Sequence, residues 1–265
     1  MENWKIFENE CVEYLNKTYG DSASFQGKGG SDSTAPDIKV YDKRGKHIFS
    51  IEAKMPNAQA GQFVLFPKDG KFEYSDRNAH EENEQTTAII KQMNDDFDRY
   101  NAPGTRGVNL CMSSSLLYDW VKEYYQNVKN EKYFITKNNS DFIIFPVDKL
   151  DQYLNVSAMY RKKGSGSSVP SNNNKKEIEN TLKASSYTYS DIEIGKVEST
   201  IILKNCTKDR FILQGQSYRY QFKKINGKQY QIRRLSNTSN ANVIFSISVK
   251  GTRKEEDLKT FEDDL

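Results

Sequence analysis

Two acids and a lysine stand at spacings that could assemble a cation site. Pro36-Asp37-Ile38-Lys39-Val40-Tyr41 precedes the polar run Asp42-Lys43-Arg44-Gly45-Lys46, and His47-Ile48-Phe49-Ser50-Ile51-Glu52-Ala53-Lys54 follows it. Both flanks are short and rich in β-branched and aromatic residues, which predicts a hairpin. If it is symmetric about Arg44 and Gly45, opposed residues have numbers that sum to 89, and Asp37 lies across from Glu52. Opposed side chains in such a ladder have Cβ atoms roughly 4.5–5.5 Å apart. Alternation then puts Asp37, Glu52 and Lys54 on one face and Ile38, Val40, Phe49, Ile51 and Ala53 on the other. Facing carboxylates cannot both ionise cheaply unless a cation sits between them. A hard divalent ion such as Mg²⁺, which takes oxygen ligands and keeps several waters, suits the pair. Lys54 could lower the pKa of an attacking water, orient it, or balance charge growing on a phosphate.

The elements that must position these residues are legible on either side. Asn3 to Tyr19 places Trp4, Phe7, Cys11, Tyr14 and Leu15 in one helical stripe, and Gly20 follows as a stop signal. A strand is expected near Ser24 to Gln26, ahead of the hairpin. Gln62 to Phe66 and Lys71 to Tyr74, around Pro67-Lys68-Asp69-Gly70, predict a smaller inserted hairpin. A helix from about Glu84 to Tyr100 carries Ile89, Ile90, Met93, Phe97 and Tyr100 at core spacing; Pro103-Gly104 ends it, and Gly107 to Met112 is a short apolar strand. Next come a helix from about Ser115 to Val128, strands near Tyr133 to Thr136 and Phe142 to Pro146, and a short helix at Asp148 to Leu154. The run Gly164 to Asn174 is low in complexity and reads as a linker. Beyond it the chain turns mostly β, at Thr200 to Leu203, Phe211 to Gln214, Tyr218 to Ile225 and Gln229 to Arg234, with Asn226-Gly227 as a strong two-residue turn signal.

Pro36-Asp37, fourteen intervening residues and then Glu52-Ala53-Lys54, on a hairpin preceded by a helix and followed by helix and strand, resembles the PD-(D/E)XK nuclease superfamily. In layout the chain is most similar to type II restriction endonucleases. The element order carries the likeness over residues 3 to 112. The resemblance implies an α/β fold with a restriction-endonuclease-like αβββαβ core and a mixed sheet, and phosphodiester hydrolysis with Mg²⁺, for which Mn²⁺ can substitute. It implies that Asp37 and Glu52 bind the metal, with the Ala53 carbonyl as a further ligand, and that Lys54 is the catalytic lysine. It also points to a glutamate on the first helix; Glu8, at the margin of the apolar stripe, is the better candidate than Glu10 or Glu13. The Gly29-Gly30-Ser31-Asp32 run resembles the glycine-rich approach to the first acid. Gln59 and Gln62, just past the catalytic strand, are candidates to touch a phosphate or a base edge, or simply to cap a loop.

The charge is divided unevenly. The net charge is −5 over residues 1–160, +13 over 161–254 and −5 over 255–265. So much like charge implies a polyanionic partner or a membrane surface, the bland alternative being a solvated basic face. Arg161, Lys162 and Lys163, with Ser165, Ser167 and Ser168, offer phosphate contacts, and Arg219, Lys223, Lys224, Lys228, Arg233 and Arg234 could line a duplex backbone. Base reading could come from the Asn226 hairpin or from Ser236 to Asn242. The expected division is a catalytic core at 1–160, a linker or flexible basic loop at 161–176, a β-rich basic DNA-binding region at 177–254 and an acidic tail at 255–265, which would compete for the basic surface or be disordered. The expected partner is double-stranded DNA, with a homodimer plausible for two-strand cutting. A structure-selective nuclease of the junction-resolvase or repair kind, a non-catalytic DNA-binding protein and an RNA substrate are the alternatives that the residues leave open.

No apolar run approaches 18 residues and the start is polar, so no membrane span or signal peptide is indicated and a cytoplasmic protein is expected. Cys11, Cys111 and Cys206 form no CxxC pair, which excludes a zinc ribbon and leaves them as small core residues.

Overall fold

The computed structural model describes residues 3–27, 36–101, 107–139, 141–163, 167–235 and 240–265. It divides into two units, Met1–Lys162 with Ala241–Leu265, and Lys163–Asn240.

The first unit starts with helix α1 (Asn3–Tyr19), whose apolar stripe buries Phe7, Cys11, Leu15 and Tyr19. Strands β1 (Ser24–Gly27), β2 (Ile38–Tyr41) and β3 (His47–Ala53) follow as an antiparallel run. Asp42 shapes the turn between β2 and β3, its Oδ1 accepting from the N–H groups of Arg44 and Lys46 at 2.9 Å each, while Gly45 takes a φ of 78° that a side chain would oppose. The register is the one the symmetric turn predicts: Ile38 pairs with Ile51, Lys39 with Ser50 and Val40 with Phe49. Ile38, Val40, Phe49, Ile51 and Ala53 are buried together against α1 residues.

The next strands, β4 (Asn57–Lys68) and β5 (Lys71–Tyr74), form the expected second hairpin, though β4 starts well before Gln62. The predicted helix from Glu84 to Tyr100 breaks at Asp96, whose φ and ψ of −128° and 46° are not helical, giving α2 (Glu84–Asp95) and α3 (Phe97–Asn101). Strand β6 (Val108–Asn109) has only two residues. Then come α4 (Ser114–Glu123), which runs into a π-helical turn at Tyr124–Val128, β7 (Tyr133–Asn138), β8 (Asp141–Pro146), α5 (Leu150–Tyr153) and β9 (Leu154–Lys163).

The first sheet has the order β1-β2-β3-β7-β8, and β7 lies parallel to β3, pairing Glu52 with Phe134. The helix and strand that close the αβββαβ core are therefore α4 and β7, not residues 84–100 and 107–112. Parallel neighbours need a long crossover, and here everything from β4 to α4 lies within it.

The second unit begins in the stretch expected to be a linker. Residues up to 163 remain in β9, Ser167–Ser168 form β10, and Asn172–Asn174 make a 3₁₀ turn into helix α6 (Lys175–Ala184); Gly164 to Gly166, the most linker-like residues, lie outside the described ones. Strands β11 (Tyr189–Ile194), β12 (Ser199–Leu203), β13 (Arg210–Gln214), β14 (Arg219–Asn226) and β15 (Gln229–Leu235) form one antiparallel sheet in the order β11-β12-β15-β14-β13, with β10 paired to β15. Asn226-Gly227 makes the predicted turn between β14 and β15, with Gly227 at a φ of 44°. Ile178 and Leu182 of α6 pack on Ile201, Leu203, Phe211, Tyr220, Phe222, Tyr230 and Ile232, which defines the apolar face of this sheet.

The chain then returns to the first unit. Strand β16 (Asn240–Val249) pairs with β4, giving a second sheet in the order β5-β4-β16-β9-β6. The acidic tail is not a loose segment. It forms helix α7 (Glu255–Asp263), which buries Leu258 and Phe261 in the core beneath the first sheet. Two of its acids are tied down: Lys132 Nζ lies 2.7 Å from Asp264, and Lys149 and Tyr153 hold Asp257. The expected boundary at residue 254 thus moves to 240, and the basic unit is narrower, with 14 Lys and Arg against 6 Asp and Glu over residues 163–240. Of the cysteines, Cys11 is buried but Cys111 is exposed.

Candidate active site

The hairpin brings its acids together from consecutive ladder positions. Asp37 stands one residue ahead of β2, and its Oδ2 accepts the N–H of Ala53 at 3.1 Å, so the ladder continues through a side chain where the strand pairing ends. Glu52 points to the face opposite Ile51 and is fully buried. Lys54 leaves the strand with its N–H donated to the carbonyl of Ile135 on β7 at 3.0 Å, and its ammonium pairs with Glu52 Oε1. Asp37, Glu52 and Lys54 line one cleft of about 530 Å³ together with Glu8 of α1 and Gln59 and Gln62 of β4. The residues that spacing and resemblance selected therefore converge.

Sequence reasoning missed the other half of the cluster. Lys129 follows the π-helical turn, is almost fully buried, and places Nζ 2.6 Å from Glu52 Oε2 and 3.3 Å from Glu131 Oε1. Glu131 is buried as well. Neither belongs to a motif: they sit in the polar stretch Lys129-Asn130-Glu131-Lys132, which reads as a surface turn. Only the position just ahead of the strand that pairs with β3 could have flagged them, and that pairing was not legible. Tyr125 is a further missed residue; its hydroxyl donates to the Ala60 carbonyl at 2.6 Å and fastens β4 to the π-helical turn. Such turns are frequent at functional sites.

The electrostatics divide the carboxylates into two kinds. Burial alone would raise the pKa of Glu52, but the ammoniums of Lys54 and Lys129 outweigh it and hold the group low and ionised. Glu131 is pushed well up by burial and then by the charge of Glu52. Asp37 is pushed up to about 7, first by burial and next by Glu52, against the pull of Lys54 and Lys129. Glu8 is raised chiefly by burial. Burial would lower Lys54, yet Glu52 and Asp37 more than compensate and keep it charged.

This donor set suits a hard cation. Among the described residues no group of three or more His, Cys, Asp or Glu side chains is arranged to hold a metal ion. Mg²⁺ does not require one, since it is commonly bound by one or two carboxylates and keeps several waters. The raised Asp37 beside an ionised Glu52 is the signature of an acid pair that a positive charge would relieve.

The basic residues selected from the sequence fall in different places. Arg161 is exposed on β9, and Lys162 is turned back, its Nζ donating to the Asn101 carbonyl at the end of α3. The side chain of Lys163 lies outside the described residues, as do Gly29 to Asp32, Ser165 and Ser236 to Ser239. Arg219, Lys223 and Arg233 share the sheet face opposite α6, with Arg210 and Gln221 between them; Arg210 donates to Gln221 across β13 and β14, and Arg233 donates to the Ser167 carbonyl at 3.1 Å. Arg234 does not join them. As the neighbour of Arg233 it points to the other face, where its guanidinium lies 4.6 Å from the centre of the Tyr218 ring and donates to Ser168 Oγ at 3.2 Å. Asn242, expected among base readers beyond the basic hairpin, belongs to β16 in the first unit, where its Nδ2 donates to Gln62 Oε1 at 3.0 Å.

HhaI endonuclease, whose structure was solved in complex with DNA, is similar to this chain over 99% of both chains, with 39% sequence identity and a TM-score of 0.68. No protein-family model matches the chain. No curated protein sequence matches it either.

Proposed function

The chain belongs to the type II restriction endonucleases, the family of HhaI endonuclease, and on that premise we propose that it is a Mg²⁺-dependent enzyme that cuts double-stranded DNA at a defined sequence. The observation that carries the proposal is the convergence of Asp37, Glu52 and Lys54 in one cleft, on a hairpin flanked by α1, α4 and β7.

Asp37 and Glu52 would hold the ion, with the Ala53 carbonyl as a third oxygen. When bound, the ion supplies a nucleophilic water at neutral pH and charge stabilisation at the phosphoryl oxygens. The protein's own groups do the rest. Lys129 keeps Glu52 ionised and fixes Oε2, which leaves Oε1 and its partner Lys54 at the cleft. Lys54 is a charged donor held by its backbone to β7, suited to orient an attacking water or to meet charge on the phosphate. Glu8, half-buried at the cleft wall, is available to accept a hydrogen bond from water on the ion.

DNA affinity would come from phosphate contacts. In the second unit the surplus of eight positive charges and the shared face of Arg219, Lys223 and Arg233 support such a role, and in the first unit exposed Arg161 does. Cutting both strands calls for two copies of the chain or two successive nicks by one. Among the described residues no helix is long and apolar enough to cross a membrane.

The test is digestion of a mixed plasmid and phage DNA panel with and without Mg²⁺, comparing the intact protein with Lys54→Ala and Asp37→Ala. Discrete fragments that need Mg²⁺ and vanish in both variants are expected. Uncut DNA in every lane, despite a salt-sensitive band shift, would replace the proposal with a DNA-binding role.

A further inference from the structure

The loop between β5 and α2 is built with more care than a connection needs. Asn78 Oδ1 accepts the Val64 N–H at 2.8 Å, and its Nδ2 donates to the carbonyls of Val64 at 2.9 Å and Ser75 at 3.0 Å. The amide thus acts as one more rung on β4, beyond the last β4–β5 pair at Leu65 and Tyr74. Ser75 N–H donates to the same Val64 carbonyl at 3.1 Å, and Tyr74 donates to the His80 carbonyl at 2.9 Å. Between these anchors stands Arg77, exposed at the cleft that holds Asp37, Glu52 and Lys54. Its N–H is fixed to Ser75 Oγ at 3.1 Å, and its guanidinium lies 5.8 Å from the centre of the Phe66 ring.

The charge pattern gives Arg77 no internal purpose. The other cations lining the cleft, Lys54 and Lys129, are both engaged with Glu52, whereas Arg77 has no carboxylate within ion-pair distance among the described residues. A planar fork fits any pair of adjacent acceptors, those of a phosphate included; what favours a base edge here is the pinned loop that fixes the fork's position beside the amides of Gln59 and Gln62. In a duplex the base edge with two adjacent acceptors is the O6/N7 edge of guanine. Gln59 and Gln62 line the same cleft, and the amide of Gln62 is held by Asn242.

Resting on the nuclease reading above, we propose that Arg77 is a specificity-determining residue that reads a guanine edge near the scissile phosphate, with Asn78 as its positioning residue. The experiment first maps the site cut by the wild-type enzyme on plasmid DNA. Single-turnover cleavage is then measured for wild-type, Arg77→Lys and Arg77→Ala on duplexes carrying that site and each single-base-pair change of it, with binding followed by anisotropy in Ca²⁺ at several salt concentrations. Discrimination by Arg77→Ala at one guanine position should fall at least about tenfold while other positions keep theirs, with Arg77→Lys intermediate. A 7-deazaguanine at that position should slow wild-type and leave Arg77→Ala unchanged. Melting temperatures should match wild-type, because the side chain is exposed. Unaltered discrimination in Arg77→Ala, with every duplex weakened equally, would overturn the inference in favour of a phosphate contact, and no effect of either variant would overturn any DNA contact. A wild-type enzyme that cuts no DNA overturns the nuclease reading itself, whereas specific wild-type cutting with unaltered variants overturns this inference alone.

Discussion

Lys129 donates its ammonium to Glu52 Oε2 at 2.6 Å, across 77 residues of chain, while Lys54 pairs with the other oxygen of the same carboxylate. A fully buried carboxylate therefore sits between two ammoniums, while burial and the charge of Glu52 push the pKa of the neighbouring Glu131 well up. Removing one ammonium should cost far more than replacing the Glu131 carboxyl. Lys129→Met is expected to lower unfolding free energy by about 3–5 kcal/mol, the usual loss when a buried pair is broken. Glu131→Gln, which keeps the side chain's shape and removes a group whose charged form burial disfavours, should stay within about 1 kcal/mol of wild-type. Urea unfolding at pH 7 checks both, and equal losses would refute this division of charge.

Lys54→Ala removes the cation that faces the cleft without touching the hairpin pairing. Cleavage is expected to fall by about 10²–10³-fold or more, as when one charge-stabilising donor is lost from an active site. Binding of the same DNA in Ca²⁺ should stay within a few-fold. If cleavage and binding fell in parallel, Lys54 would be a DNA-affinity residue instead.

Asp37 gives the metal-free protein a pH dependence whose sign is fixed. Its folded-state pKa of about 7 lies above the ordinary value of 3.8, so between these pH values the folded chain binds more protons than the unfolded one. Stability therefore falls as pH rises from about 4 to about 7, and this contribution levels off above that. Asp37→Asn should abolish it. Thermal melts in EDTA across this range, wild-type against variant, are the measurement; parallel curves would show that Asp37 titrates normally.

Phe261 of α7 is fully buried, its ring 5.3 Å from that of Tyr19 and 5.2 Å from that of Tyr133. Phe261→Ala should destabilise the first unit by about 3–5 kcal/mol. Since whole domains have only about 5–15 kcal/mol to lose, cleavage should vanish at temperatures where wild-type is active. Calorimetry and cleavage at 20 and 37 °C test this, and a loss under 1 kcal/mol would mean that α7 is dispensable.

What the sequence displayed was local. Period-two alternation and a symmetric turn were enough for the Ile38–Ile51 register, and with it the meeting of Asp37, Glu52 and Lys54. Long-range pairing was hidden. Residues 107–112 and Tyr133-Phe134-Ile135 are both short apolar stretches, yet the strand beside Glu52 is β7, while Val108 and Asn109 pair with β9 in the other sheet. Lys129 and Glu131 resemble surface charges until that strand is in place. The tail misled for a similar reason: six acids mask a Leu258 and Phe261 pair at helical spacing, and nothing local reveals the aromatic surface that receives it. Arg233 and Arg234 looked like a pair by proximity, although the two-residue repeat of a strand sends neighbours to opposite faces.

The return of β16 and α7 to the first unit orders events on the ribosome. A nascent chain that has already emerged with Asp37, Glu52 and Lys54 still lacks the strand that lies beside β4 and the ring that fills the space between Tyr19 and Tyr133. Those pieces are made only after the whole of residues 163–240, so the cleft completes its supports late in translation.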